Sequence, residues 1–323
     1  MNAPSSVDRP APVTVNRMVA ERYRLIAEVG SGFHSRIYRA HDTVEDVDVA
    51  IKVEFHEYGD GSLANEHMIY QFLRGCAGTP QLLWYGVHSD VCTAMVIPLL
   101  GPSLHALNEA QGGLRLMTIL GFALDCITIL EGIHDRGVIH GDVSPKNILL
   151  ARPLRNGSPT NGEIGGSNKL VIVDFGSSRK LEAIRPLPTY APIGTFIFGS
   201  HNDGYYTPSP YDDLESLSYV VMFLLAGSLP WDDEIDLDRL RDMKLNLSPQ
   251  AFKHTLPPCV FDIHEYAIKG TRERPNYQLM KEKVLHGMWI ETLTSVAKFV
   301  RNSPSNGRSG LSSTSPLKKI SPL

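Results

Sequence analysis

Positive charge, cysteine and long apolar runs are all scarce in this 323-residue sequence. Lys and Arg total 31 against 35 Asp and Glu, a formal net charge of −4. Such a balance gives no electrostatic footprint for nucleic acid or an anionic membrane, so neither is expected as a partner. The four cysteines, Cys76, Cys92, Cys126 and Cys259, lie far apart and form no CxxC pair. That argues against an oxidising compartment and fits buried thiols in a reducing cytoplasmic or nuclear setting. The amino-terminal MNAPSSVDRPAPV has no apolar core of signal-peptide length, so secretion is not expected. The longest apolar-rich run, Leu116–Leu130, carries Asp125 and is too short to cross a bilayer; it reads as a buried helix. No internal repeat is visible.

What is present suits a globular protein of full size. The chain is 42% hydrophobic and 20% charged, enough for a substantial core in one two-lobed domain or two small ones. Residues 1–18 are rich in Pro, Ser and Ala and are expected to be disordered. Residues 301–323 are polar with Ser-Pro steps and read as a flexible tail, with Ser303 and Ser315 as candidate phosphorylation sites. The domain expected between them, residues 19–300, changes character once. Up to about residue 98, short apolar segments suggest strands at Tyr23–Glu28, Arg36–His41, Val47–Phe55, Gln81–His88 and Thr93–Pro98, with one helix at Leu63–Arg74. From about residue 101 to 300 the long periodic segments are helical: Leu116–Arg136, Leu214–Ala226 and Asn276–Val300. The expected fold is therefore α+β and bilobal, a small β-rich N-lobe and a larger helical C-lobe, with ligand in the crevice between. Residues 151–168, dense in Gly, Pro, Ser and Asn, read as a loop insertion between the strands Ile148–Leu150 and Leu170–Val173.

Five features carry chemistry, and they follow one another in a telling order. Val29-Gly30-Ser31-Gly32-Phe33-His34-Ser35-Arg36-Ile37 lies between two predicted strands, where glycines let backbone N–H groups approach phosphate oxygens. Lys52 lies in the alternating strand VDVAIKVEF; Ala50 and Lys52 share one face, small enough at Ala50 for an adenine ring. Glu66, on the following helix, can hold the Lys52 ammonium toward phosphates. In His140-Gly141-Asp142-Val143-Ser144-Pro145-Lys146-Asn147, Asp142 can orient and deprotonate an acceptor hydroxyl while Asn147 coordinates magnesium. Asp174-Phe175-Gly176 follows a short apolar strand, and Asp174 can bridge magnesium to phosphates.

Taken together these motifs resemble the eukaryotic protein-kinase superfamily. A second set narrows the resemblance: Leu99-Leu100-Gly101-Pro102-Ser103-Leu104, Gly194-Thr195, Asp212-Asp213-Leu214-Glu215-Ser216-Leu217 and Gly227-Ser228-Leu229-Pro230-Trp231 are similar to the casein kinase 1 family over residues 20–290. The resemblance implies ATP with Mg²⁺, phosphoryl transfer to Ser or Thr of protein substrates, and a monomer. It also implies that Ile97 backs the adenine pocket and that Pro98–Leu100 form the hinge, where the Leu100 N–H is a donor. Asp213 becomes the buried helix-start aspartate that ties the catalytic loop to the C-lobe.

Departures from the family pattern are equally specific. Gly141 replaces an arginine that pairs with an activation-loop phosphate, so no such phosphorylation is expected to be required. Ser144 replaces a lysine that stabilises the transferring phosphate, and Lys146, four residues after Asp142, is the expected substitute. Ile197 in Gly194-Thr195-Phe196-Ile197-Phe198-Gly199-Ser200 takes the place of a phosphate-binding arginine, and the acidic Asp232-Asp233-Glu234-Ile235-Asp236 replaces a basic stretch. Little preference for phosphate-primed substrates is expected. Two alternatives stay open: a pseudokinase or scaffold, and a small-molecule phosphotransferase, whose loops often begin His-Gly-Asp.

Overall fold

The computed structural model describes residues 17–31, 35–57, 59, 61–89, 92–154, 170–183, 196–202, 207–252, 256–270 and 273–302. The positions expected to form the two disordered tails fall mostly outside these, as do Gly32, Gly194, Thr195, Ser303, Ser315 and most of the 151–168 insertion.

Six strands build the N-lobe: β1 (Met18–Val19), β2 (Tyr23–Ser31), β3 (Ser35–Asp42), β4 (Val47–Phe55), β5 (Trp84–Ser89) and β6 (Cys92–Pro98). They form one antiparallel sheet in the order β1-β2-β3-β4-β6-β5. Met18 pairs with Arg24, so ordered structure begins inside the last residues of the segment expected to be disordered. The alternation read from β4 decides which face is which. Val49, Ile51 and Val53 are almost wholly buried in a cluster with Tyr23, Leu25, Tyr38 and Val96, while Ala50 and Lys52 project from the other face. Against that other face lies α1 (Ser62–Phe72). It ends two residues earlier than the sequence suggested, and Gln81–Leu83 precede β5 as irregular chain.

The remainder is helical: α2 (Leu104–Gln111), α3 (Leu116–His134), α4 (Pro210–Ala226), α5 (Leu237–Leu245), α6 (Pro258–Ile268) and α7 (Tyr277–Asn302). Two small pairings, β7 (Val138–Ile139) with β10 (Arg179–Lys180) and β8 (Ile148–Leu150) with β9 (Leu170–Ile172), frame the loops that face the N-lobe. α3 is 19 residues long and apolar enough, by length and composition, to cross a membrane; half of it is buried inside the fold, where it packs on α4 and α7. α4 starts sharply because Ser209 and Asp212 form a reciprocal capping box with Pro210 in the first turn, and it stops at Gly227 in the left-handed region. That start places Asp213 at the base of the catalytic loop.

Candidate active site

Sheet register assembles the upper half of the site. Lys52 stands opposite Ile37 on β3 and Met95 on β6, and Gly30 stands opposite Ile37 on β2. Two residues along the same face of β4, Ala50 stands opposite Ile97. Gly30, Ile37, Ala50, Lys52 and Ile97 therefore share one surface, as phosphate-to-adenine contacts require. Val29 falls in an irregularity of the β2–β3 pairing and is 58% exposed, beside the exposed Ser31 and the half-buried Ser35. Leu100 is half-buried just beyond β6, and the next residue, Gly101, donates its N–H to Leu150 O at 2.8 Å.

Three charged groups meet at the centre. Lys52 Nζ donates to Glu66 Oε2 and to Asp174 Oδ1, each at 2.7 Å. Glu66 is 2% exposed, and its second oxygen, Oε1, accepts the Phe175 N–H at 3.3 Å. Burial alone would push the Lys52 ammonium down, but Glu66 and Asp174 together hold it above its ordinary value. Burial pushes Glu66 up to about 7, with Lys52 pulling the other way and Asp174 adding to the rise. Asp174 sits among packed neighbours that raise it, yet Lys52 holds it below the ordinary carboxylate value. Its side chain keeps 41% of its surface open to the cleft. The Asp174 backbone has φ of 66°, a left-handed conformation costly for a non-glycine residue and a form of strain that clusters at functional sites.

Below the cleft, Asp213 fixes the catalytic loop. Its Oδ2 accepts the His140 N–H at 2.7 Å and its Oδ1 accepts the Gly141 N–H at 2.8 Å. His134, on α3, bridges the same carboxylate at 2.8 Å to the Tyr277 hydroxyl at 2.6 Å. Against the upward push of burial, His134, with His140 and the Gly141 N–H, holds Asp213 below its ordinary value. The loop then returns on itself: Asn147 Nδ2 donates to both the carbonyl and the Oδ2 of Asp142, 2.9 Å in each case. Gly141 has φ of +78°, and a Cβ there would lie 2.9 Å from Ser177 O, so the backbone itself favours glycine. Ser144 is buried with 2% exposure, whereas Lys146 is exposed.

Sequence motifs did not single out Asn65, Tyr70 or Lys244, which brace these elements. Asn65, next to Glu66, donates through Nδ2 to the carbonyls of Gly176 at 3.1 Å and Ser178 at 3.0 Å. The Phe175 ring stands edge-on to Tyr70 of α1 at 5.0 Å and to His140 at 4.9 Å. Lys244, 1% exposed, donates to the carbonyls of Phe196 at 2.7 Å and Gly199 at 2.6 Å, and Trp231 Nε1 donates to Ile197 O at 2.8 Å. These contacts fix the segment that carries Ile197. The acidic stretch also proves partly structural: Asp232 accepts the Leu229 N–H, Asp236 caps α5, and Glu234 pairs with Arg239.

The donor set fits ATP with a magnesium ion. Asn147 spends its amide hydrogens on Asp142, which leaves its side-chain oxygen for a cation, and Asp174 holds Lys52 through one oxygen only. Two hard oxygen donors completed by phosphate oxygens suit Mg²⁺, which binds through few carboxylates and substrate phosphates. Among the described residues no group of three or more His, Cys, Asp or Glu gathers as a closed metal cage. The family model for the protein kinase domain matches residues 23–254.

Proposed function

Since the chain belongs to the protein kinase family, we propose that it is an ATP- and Mg²⁺-dependent protein serine/threonine kinase resembling casein kinase 1. One observation carries the reading: Lys52 between Glu66 and Asp174 stands above an Asp142 held by Asn147. Lys52 binds and orients ATP phosphates, with Ala50, Ile97 and Leu100 around adenine. Asn147 and Asp174 hold magnesium, which neutralises charge on the phosphates. Asp142 accepts the proton of a Ser or Thr hydroxyl as its oxygen bonds the γ-phosphorus and the bond from phosphorus to the ADP oxygen breaks. Lys146 is proposed to stabilise charge on the transferring group, because no cation stands at Ser144. A monomeric state of the chain, protein substrates that offer Ser or Thr side chains, and a cytoplasmic or nuclear site of action belong to the same proposal.

A second reading is favoured by one feature. Ser144 is a small buried side chain where the family places a lysine, which supports a pseudokinase with weak transfer. Labelled ATP supplied with magnesium and either serine-containing proteins or small alcohols separates the readings. Transfer to protein that Asp142→Asn abolishes supports the kinase; transfer to neither supports the pseudokinase; transfer to alcohols alone supports a small-molecule phosphotransferase.

A further inference from the structure

The first turns of α4 hold two segments side by side. Asp213 accepts the N–H groups of His140 and Gly141, and the preceding Asp212 accepts the Ser200 hydroxyl at 2.6 Å. Two residues after Asp213, Glu215 accepts the His201 N–H at 2.8 Å and lies 2.7 Å from the His201 ring nitrogen Nδ1. Gly141 and Gly199 accordingly line one small cavity. Residues 196–202 therefore run next to the loop that carries Asp142, within reach of a chain whose Ser or Thr hydroxyl meets that carboxylate.

The side chains of that segment divide sharply. Ile197 packs against the C-lobe core, and the buried Phe198 stands edge-on to Phe223 at 5.5 Å. Phe196 keeps 47% of its surface open, and it is the one exposed large apolar side chain among the described residues 196–202. A lone exposed apolar residue on an unbraced loop would carry no message. Phe196 sits instead on a fixed backbone: Lys244 holds the carbonyls of Phe196 and Gly199, and Trp231 holds that of Ile197. Lys244 is buried to do so, and taking an ammonium out of water is costly. The backbone under Phe196 thus has little left to order on contact, so most of the apolar area an aromatic ring covers is kept as affinity.

We propose that Phe196 is a specificity-determining residue, receiving a large apolar side chain that flanks the acceptor Ser or Thr of a protein substrate. The acceptor itself rests on the kinase reading above; the flank rests on Phe196. Charge selects further. Trp231, whose indole holds Ile197, begins a loop with exposed Asp233, Ile235 and Asp236, which offers apolar surface and negative charge together. The first cation after it, Arg239, is already paired with Glu234. A basic neighbour in the substrate finds counter-charge there, and an acidic or phosphorylated one meets repulsion. The substrate class is a Ser- or Thr-containing segment with an apolar flank in basic surroundings.

Synthetic peptides with one central Ser among Ala and Arg residues test this. Leu is placed at each flanking position in turn, and affinity for the full chain with an ATP analogue and magnesium is read by fluorescence anisotropy. Leu at one position should tighten binding about tenfold or more over Ala, the worth of burying one such side chain. Phe196→Ala should abolish that gain and Phe196→Leu should keep it, with the affinity of the ATP analogue and the thermal melt unmoved in both. Glu in place of the Arg residues should weaken every peptide. Affinity needs no transfer, so a Leu gain without phosphorylation contradicts the kinase reading and still supports Phe196 as the residue that docks the flank. Peptides that bind alike or not at all, a Leu gain kept by folded Phe196→Ala, or tighter binding of the Glu peptides overturns the proposal.

Discussion

Lys52 is as close to Asp174 as to Glu66, and it is the shared cation of two carboxylates from opposite lobes. Replacing it with an apolar residue of similar length leaves Glu66 and Asp174 facing each other uncompensated. Lys52→Met should retain the fold and lose about 10²–10³ in turnover, the usual effect of removing one preorganised phosphate donor. Steady-state kinetics beside a thermal melt checks this; turnover within tenfold of the unaltered protein contradicts it.

Glu66 makes the site pH-dependent. Its folded value, near 7, lies above the ordinary 4.5, so the folded chain holds this proton more tightly than the unfolded one. The stability this group contributes is complete below about 4.5 and is lost as pH rises through about 7. Function runs the other way, because only the ionised carboxylate pairs with Lys52. The kcat/KM for ATP should rise with pH and level off above about 7, and Glu66→Gln should remove that limb. An unchanged limb in Glu66→Gln assigns the titration to another group.

Gly141 is constrained by backbone as well as by chemistry. Any side chain there meets φ of +78° and the Ser177 carbonyl. Gly141→Arg should cost about 1–2 kcal/mol from the left-handed backbone alone, seen as a lower urea midpoint. The unaltered protein should also keep its turnover after phosphatase treatment, since Gly141 stands where the family places its phosphate-pairing arginine. A large loss on dephosphorylation would count against this.

Much of this arrangement is readable along the chain. Strand alternation at Val47–Phe55 gives the face of Lys52, and the long periodicities of α3, α4 and α7 give a helical second lobe. The helices α2, α5 and α6 escape because they are 8, 9 and 11 residues long. In α5 the sequence LDRLRDMKL buries only Leu240 and Lys244, too little to make a stripe. Asn65 and Lys244 escape for a different reason. Each is a single polar residue whose partners are backbone carbonyls far along the chain, and carbonyls leave no mark in a sequence. The negative charge of Asp232–Asp236 is plain in the sequence, but its use in capping a turn and a helix depends on where those elements begin.

Lys146, two residues further along the loop and exposed, is the proposed replacement for the cation missing at Ser144. Lys146→Ala should lower kcat by about 10² with little change in the KM for ATP, as expected when a contact made only in the transition state is lost. Full turnover at saturating ATP in this variant rules Lys146 out of the step.

Asp142 bears most directly on the whole account. The measurement is magnesium-dependent transfer of labelled γ-phosphate from ATP to a serine-containing protein, by the unaltered chain and by Asp142→Asn. The account predicts labelled phosphoserine with the unaltered chain, lost on chelating magnesium, and a rate lower by about 10²–10⁴ in Asp142→Asn, the range for a general base. No labelled phosphoserine, or equal label with Asp142→Asn, would contradict it.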